Sequence, residues 1–276
     1  MDVSRINELE KIALEIRKDV VRMVGVAGSY GLRSALSIVD LLVYLYWDFM
    51  DIDHGKPAAA DNDRFILSKG AAVPSLYACL ARLGYYGREE LWSYSRLGAM
   101  LQGYPDIKTP GIHAPGGTYG GGLGIGSGFA HAARMDGSRA RVFCLLGDGE
   151  LQEGVVWESL FAVPAAGLGN IVLVVELNDY QSTGPHAGLK VGGPVAEKIR
   201  SFGWNVEEVD GHDYSSMDAI FRSLDFSGPT PFAVLARTMN SGGIRTTEKD
   251  SSNSSEPLSK DSMDQYLSEL ESKMKV

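Results

Sequence analysis

Two side chains with hard oxygen donors stand thirty residues apart, each just beyond an apolar run. Val142-Phe143-Cys144-Leu145-Leu146 leads into Gly147-Asp148-Gly149, and Ile171-Val172-Leu173-Val174-Val175 leads into Glu176-Leu177-Asn178-Asp179. A helix-length segment lies between. That order predicts a strand, a crossover helix and a parallel strand, and a right-handed crossover sets the two strand ends side by side. Open α/β sheets bind ligands beyond those carboxyl ends. Asp148 and Asn178 then offer two oxygens to one cation. Mg2+ takes oxygens in an octahedron and commonly uses one or two protein groups plus phosphate oxygens. The glycines flanking Asp148 let a diphosphate approach the backbone. The site reads as a clamp for Mg2+ and a diphosphate. Taken singly the residues say less. Gly-Asp-Gly after a strand is often only a turn, and an Asn at a strand end is often a cap. The paired placement carries the reading.

The elements that must position these residues can be followed along the chain. Ile6, Leu9, Ile12, Ile16, Val20 and Met23 recur at helical spacing and predict an amphipathic helix over residues 5–26. A second, more buried helix is expected over 36–50. The turn between them, residues 27–34, has the small residues of a substrate-lining loop. Residues 64–67 read as a short strand and 73–84 as a helix with Leu76, Leu80 and Leu83 near one face. Glycine is dense between residues 116 and 128. Such a run is commonly a linker, but this one enters Phe129-Ala130-His131-Ala132-Ala133, a helical pattern. A close-packed helix start facing a cofactor fits better, because glycine permits close approach. Residues 204–209 and 232–236 read as further strands, and 265–274 as a short amphipathic helix. No internal repeat is visible. The fold expected is α/β, a mostly parallel sheet with helices on both faces. It occupies residues 1–245, with a polar, mobile segment over 246–262 and a C-terminal helix over 263–276.

Composition narrows the function classes. At 276 residues the chain can bury a sizeable core. Its net charge of −9 disfavours nucleic acid, which needs clustered Lys and Arg. The start lacks an apolar signal core, and the apolar stretch 41–50 is too short to span a bilayer, so no membrane role is expected. Two cysteines, Cys79 and Cys144, make no disulfide framework and suit the cytoplasm. Of the histidines, His212 beside a turn glycine reads as structural, His54 as solvated and His131 as packed.

Gly147 to Ser159 (GDGELQEGVVWES), with LGNIVLVVELNDYQSTG behind it, closely resembles the thiamine diphosphate motif of transketolases. The likeness is nearest to the short, amino-terminal chains of transketolases split over two polypeptides, and it covers nearly the whole chain. Asp63-Arg64-Phe65-Ile66-Leu67-Ser68-Lys69-Gly70, Thr109-Pro110-Gly111-Ile112, Gly117-Thr118-Tyr119-Gly120, Val209-Asp210-Gly211-His212-Asp213 and Ala236-Arg237-Thr238 match weaker landmarks. The resemblance implies thiamine diphosphate and Mg2+ as cofactors. Asp148 and Asn178 would ligate the metal, with the backbone carbonyl of Tyr180 as a third protein ligand. Gly149 would meet the diphosphate by its N–H, and Gly117 and Tyr119 the aminopyrimidine through backbone. Glu153 and Glu158 stand where the family has glutamates linking two active sites across a dimer, with Glu153 the catalytic candidate. A solvated helix face is the alternative for both. His113 and His186 fall in segments that the resemblance puts near substrate.

The departures are also informative. Transketolases carry four active-site histidines. Their places here hold Gly31, Ala71 and Tyr104, and the fourth falls in 248–257, which has no histidine. Imidazoles there would bind sugar hydroxyls and move protons. Their loss points to a changed substrate, because a site that hydrogen-bonds hydroxyls discriminates strongly for them. No second, pyrimidine-binding αβ domain follows, and in the family that domain supplies the glutamate that activates the cofactor. The expectation is therefore the amino-terminal subunit of a two-chain, transketolase-like enzyme with small-molecule substrates. It would transfer a two-carbon ketol unit and pair with a C-terminal transketolase subunit, as α2β2. Two alternatives stay open: a 2-oxoacid decarboxylase or carboligase subunit, and a non-catalytic cofactor-binding subunit.

Overall fold

β-Branched and aliphatic runs supply the central strands of a five-stranded sheet in which every pairing is parallel. The computed structural model describes residues 1–57, 59–178, 180–181, 184–185, 194–239 and 257–272. Its strands are β1 (Arg64–Leu67), β2 (Val142–Gly147), β3 (Ile171–Leu177), β6 (Asn205–Asp210) and β7 (Phe232–Arg237), in the order β1-β2-β3-β7-β6. Two two-residue strands, β4 (Tyr180–Gln181) and β5 (Gly184–Pro185), pair antiparallel just after β3.

The central strands are buried on both faces, which is why they read as continuous apolar runs rather than alternating ones. Phe143 and Leu145 of β2, and Val172 and Val174 of β3, face one core. That core is closed by α1 (Val3–Ala27), α3 (Val39–Tyr44), α4 (Val73–Arg82), α8 (Tyr214–Arg222) and α9 (Lys260–Ser272). Val142, Cys144 and Leu146, with Ile171, Leu173 and Val175, face the other, under α5 (Gly122–Met135), α6 (Gly154–Ala165) and α7 (Val195–Ser201). Each fully buried Leu or Phe in these layers contributes about 1.5–3 kcal/mol. The fold is the expected α/β one.

Several elements differ from the sequence expectations. The helix expected over 36–50 is α3 followed by a π-helical turn over Leu45–Phe49, and a separate short helix, α2 (Leu32–Leu36), begins inside the expected turn. Ser75 Oγ donates to the Ala35 carbonyl at 2.6 Å, and Ser37 Oγ donates to the Ser34 carbonyl at 3.2 Å, so side chains take backbone acceptors at the break. Helices α7 and α8 have no counterpart among those expectations; α8 is capped by Asp213, which accepts from the Ser215 N–H at 2.9 Å. The final helix starts at Lys260, earlier than expected, and packs Tyr266 and Leu270 into the first core. Most of the segment expected to be mobile lies outside the described residues.

His131 is exposed on α5 rather than packed. His54 is half-buried rather than solvated, with Nδ1 3.2 Å from the Tyr85 hydroxyl. His212 is structural, as read: Nδ1 meets Asp40 Oδ2 at 2.6 Å and Nε2 accepts from the Met239 N–H at 2.8 Å. No helix among the described residues is long and apolar enough to cross a membrane.

Candidate cofactor and metal site

The register of β2 and β3 pairs Gly147 with Glu176, so the chain leaves both strands at the same level. Asp148 and Asn178 are therefore neighbours, and the Asn178 N–H donates to Asp148 Oδ2 at 3.4 Å. Both line a cavity of about 290 Å3 at the carboxyl ends of the strands. After Gly147 the chain turns into a 3-10 helix, Asp148–Gln152, before α6 begins. Asp148 is nearly buried, at 7% exposure, yet lines the cavity.

The cavity gathers most of the residues singled out from sequence. Gly149, Gly117 and Tyr119 line it beside Asp148 and Asn178, and Gly31, Ala71 and Tyr104 line it from the other end. Gly117 has φ +104°, a left-handed conformation that only glycine adopts readily. Tyr104 is half-exposed at 55% and folds its ring over Gly70, where a Cβ would lie 2.6 Å from its Cδ1. The tyrosine thus occupies space that Gly70 leaves open.

Other residues fall elsewhere. Glu153 is exposed at the N-cap of α6 and does not line the cavity. Its Cβ packs on Gly120, so its carboxylate belongs to the outer surface of this chain. Glu158 is exposed as well. His113 is half-buried and is not among the residues that line this cavity. Burial, then the Arg64 guanidinium, lowers its pKa to about 4. Arg64 opens β1, at the end of that strand away from the cavity. Tyr180 begins β4 directly beyond Asp179, itself outside the described residues, and His186 lies outside them too.

The structure adds residues that the motif reading passed over. Glu150 is 1% exposed and takes three donors: Ser68 Oγ at 2.6 Å, the Gly120 N–H at 2.8 Å and the Gly147 N–H at 2.9 Å. It ties the glycine-rich entry of α5 and the end of β1 to the Gly-Asp-Gly turn. Burial raises its pKa, and these donors offset part of that rise. Beneath Asn178 lies Glu176, fully buried, paired with Lys69 Nζ and accepting from Thr238 Oγ1 at 2.8 Å and Asn178 Nδ2 at 3.2 Å. Burial opposes its ionisation, but the Lys69 ammonium and the surrounding donors win, and its pKa is lowered. Gly147 leaves room for the Lys69 stem, which would lie 3.3 Å from a Cβ there. A sequence signal for Glu176 did exist: one acid inside an otherwise apolar strand.

These residues fit a cation bound together with a diphosphate. The donor set is one carboxylate and one amide oxygen, which leaves an octahedral ion positions for phosphate oxygens and water. Gly147 and Gly149 have no side chain between the turn and the cavity. Tyr30, Gly31 and Tyr104 would meet the remainder of a bound molecule.

The comparisons agree with that fit. The family model "Transketolase, thiamine diphosphate binding domain" matches residues 10–273. A protein of Phocaeicola vulgatus named as one of the subunits of an apulose-4-phosphate transketolase is 32% identical over 244 residues, which are 88% of this chain and 87% of that one. The 6-deoxy-6-sulfo-D-fructose transketolase subunit SqwG of a Clostridium species is 30% identical over 265 residues, 96% of each chain. Transketolase of Homo sapiens is 31% identical over 275 residues, which are 99% of this chain but 44% of the human protein. The chain spans the same 44% share of transketolase-like protein 2 from Bos taurus. Among solved structures, transketolase from Campylobacter jejuni superposes with a TM-score of 0.87 at 26% identity, over 97% of this chain and 43% of that one. The chain belongs to the transketolase family and carries its thiamine diphosphate-binding domain.

Proposed function

We propose that this chain is the amino-terminal, cofactor-holding subunit of a two-component transketolase-like enzyme that transfers a two-carbon ketol unit. One observation carries the reading: Asp148 and Asn178 meet at adjacent strand ends, on a cavity whose glycine-lined wall is open to a diphosphate. Length supports the two-component form, since the chain matches nearly all of two proteins named as subunits and under half of human transketolase. Bound here, thiamine diphosphate supplies the carbanion chemistry that breaks a bond next to a carbonyl. The chain's own residues bind and orient it. Asp148, Asn178 Oδ1 and the Tyr180 carbonyl would hold Mg2+, Gly149 the diphosphate by its N–H, and Gly117 and Tyr119 the aminopyrimidine by backbone.

A C-terminal transketolase subunit with the pyrimidine-binding domain would complete the site, as a cytoplasmic α2β2 assembly. Glu153, exposed beside Gly120, would reach across that assembly. Donor and acceptor are proposed to be non-standard, since Gly31, Ala71 and Tyr104 replace imidazoles. The two relatives named for apulose 4-phosphate and 6-deoxy-6-sulfofructose are subunits of the same length class. Each lost hydrogen bond to substrate costs about 0.5–1.5 kcal/mol. The test is a donor screen of the chain co-purified with its second subunit. Poor turnover of xylulose 5-phosphate with ribose 5-phosphate, and better turnover of another ketose phosphate, is expected. A preference for a 2-oxoacid with release of CO2, or full activity from this chain alone, overturns the proposal.

A further inference from the structure

We propose that Glu176 is a positioning residue for the metal, its carboxylate set between Lys69 and Asn178 so that it fixes which end of the Asn178 amide faces the cation. An asparagine side chain has one oxygen and one NH2 group of nearly the same shape. Only the oxygen can ligate a cation. Whatever lies behind the amide decides which end turns forward.

Here the group behind it acts as an acceptor toward the amide. Glu176 Oε1 accepts from Asn178 Nδ2 at 3.2 Å and from Thr238 Oγ1 at 2.8 Å, while Oε2 faces Lys69 Nζ. Three donors from three different elements converge on one carboxylate with 0% exposure. Lys69 comes from the end of β1 and also donates to Ser37 Oγ at 3.3 Å. With a carboxylate behind it, the amide must present N–H inward, and Oδ1 is left for the cavity that Asn178 lines. Partners behind metal ligands fix ligand orientation in this way, and their loss commonly costs about 10–100-fold in metal affinity.

The alternative is that Glu176 only knits β1, β3 and β7 together. The two roles separate at the level of single atoms. In Glu176→Gln, Lys69 keeps the Gln carbonyl, so the Gln NH2 takes the place of Oε1. That NH2 now faces Asn178, which must accept with Oδ1 and turn its own NH2 to the cation. Thr238→Val removes a donor from the same oxygen but leaves the Asn178 contact alone. Asn178→Asp has two oxygens and no amide to orient, but it sets a second carboxylate against Glu176. Adding Glu176→Gln to Asn178→Asp then replaces a repulsion with a hydrogen bond.

The proposal rests on Asp148 and Asn178 as metal ligands. The experiment is a calorimetric titration of Mg2+ into the full chain with thiamine diphosphate present, together with the Asn178 side-chain amide signal in an asparagine-labelled, ligand-free sample. Glu176→Gln should lose at least tenfold in Mg2+ affinity and shift that amide signal. Thr238→Val should stay within about threefold of the parent. Glu176→Gln should raise affinity when placed on Asn178→Asp, and this double variant also tests the idea should the single variant fold poorly. Equal losses in Glu176→Gln and Thr238→Val, or no reversal of sign on Asn178→Asp, overturn the positioning role. Retained affinity in Asp148→Ala overturns instead the site on which it rests.

Discussion

The two ends of the cavity are built on opposite principles. Behind the Gly-Asp-Gly turn stand buried carboxylates with partners. Glu150 takes three donors, Glu176 takes three more, and Lys69 neutralises Glu176 from across the sheet. Elsewhere the wall has Gly31, Ala71 and two half-exposed tyrosines, Tyr30 at 56% and Tyr104 at 55%, with Ser34 and the buried Arg33 next to them. Removing one member of a buried polar network strands the rest at several kcal/mol, whereas exposed positions away from such networks tolerate change within about 0.5 kcal/mol. A wall of this kind can change at exposed positions such as Tyr30 and Tyr104 without disturbing the buried pairs behind the turn.

The contrast breaks first at Asp148. Asp148→Ala should abolish cofactor binding by calorimetry while circular dichroism stays that of the parent. Binding within tenfold of the parent would erase the distinction between the ends. Lys69→Met comes next. It leaves the Glu176 carboxylate buried without its cation, and breaking such a pair costs about 3–5 kcal/mol. The thermal midpoint should drop by several degrees, and an unchanged midpoint would mean that Glu176 is not held ionised by Lys69.

His113 belongs to neither end and sharpens the comparison from outside. Its pKa is lowered in the fold to about 4, so between about 6.5 and 4 the unfolded chain binds a proton that the fold refuses. Stability from this group is complete above pH 6.5 and is lost as pH falls toward 4. After discounting for its solvent-exposed part, the amount is roughly 1–2 kcal/mol. His113→Gln should flatten that part of the urea-unfolding profile and leave donor KM unchanged. A changed donor KM would put the imidazole back at the site. The smallest effect on stability is expected at Tyr104. Tyr104→His restores an imidazole where the family has one, at a cost within about 0.5 kcal/mol. It should raise turnover of xylulose 5-phosphate without altering cofactor affinity. A loss of cofactor affinity comparable to Asp148→Ala would show that the two ends are one network.

Much of this molecule was legible in the sequence. The helical period of its apolar residues marks α1, and unbroken apolar runs mark the central strands. The spacing of Asp148 and Asn178 alone places them at one edge, because a parallel crossover leaves no other arrangement. Local pattern could not reveal the break at Ser37, since it depends on Ser75 reaching the Ala35 carbonyl from a distant helix. Nor could it show that His113 sits by Arg64, away from the cavity. The inner partners of the site were hidden for the same reason. Ser68 and Glu150 are 82 residues apart in sequence, and Lys69 and Glu176 are 107 apart. A buried charge is tolerated only when a partner meets it in space, and that meeting is a property of packed strands. The sequence by itself determined the sheet and the meeting of Asp148 and Asn178 at adjacent strand ends. Only the tertiary structure decided which charges stand behind that pair, which glycines yield space to Lys69 and Tyr104, and which histidines are absent from the cavity wall. Periodicity is written in neighbouring residues, whereas charge pairing and cavity shape arise where distant segments close on one another.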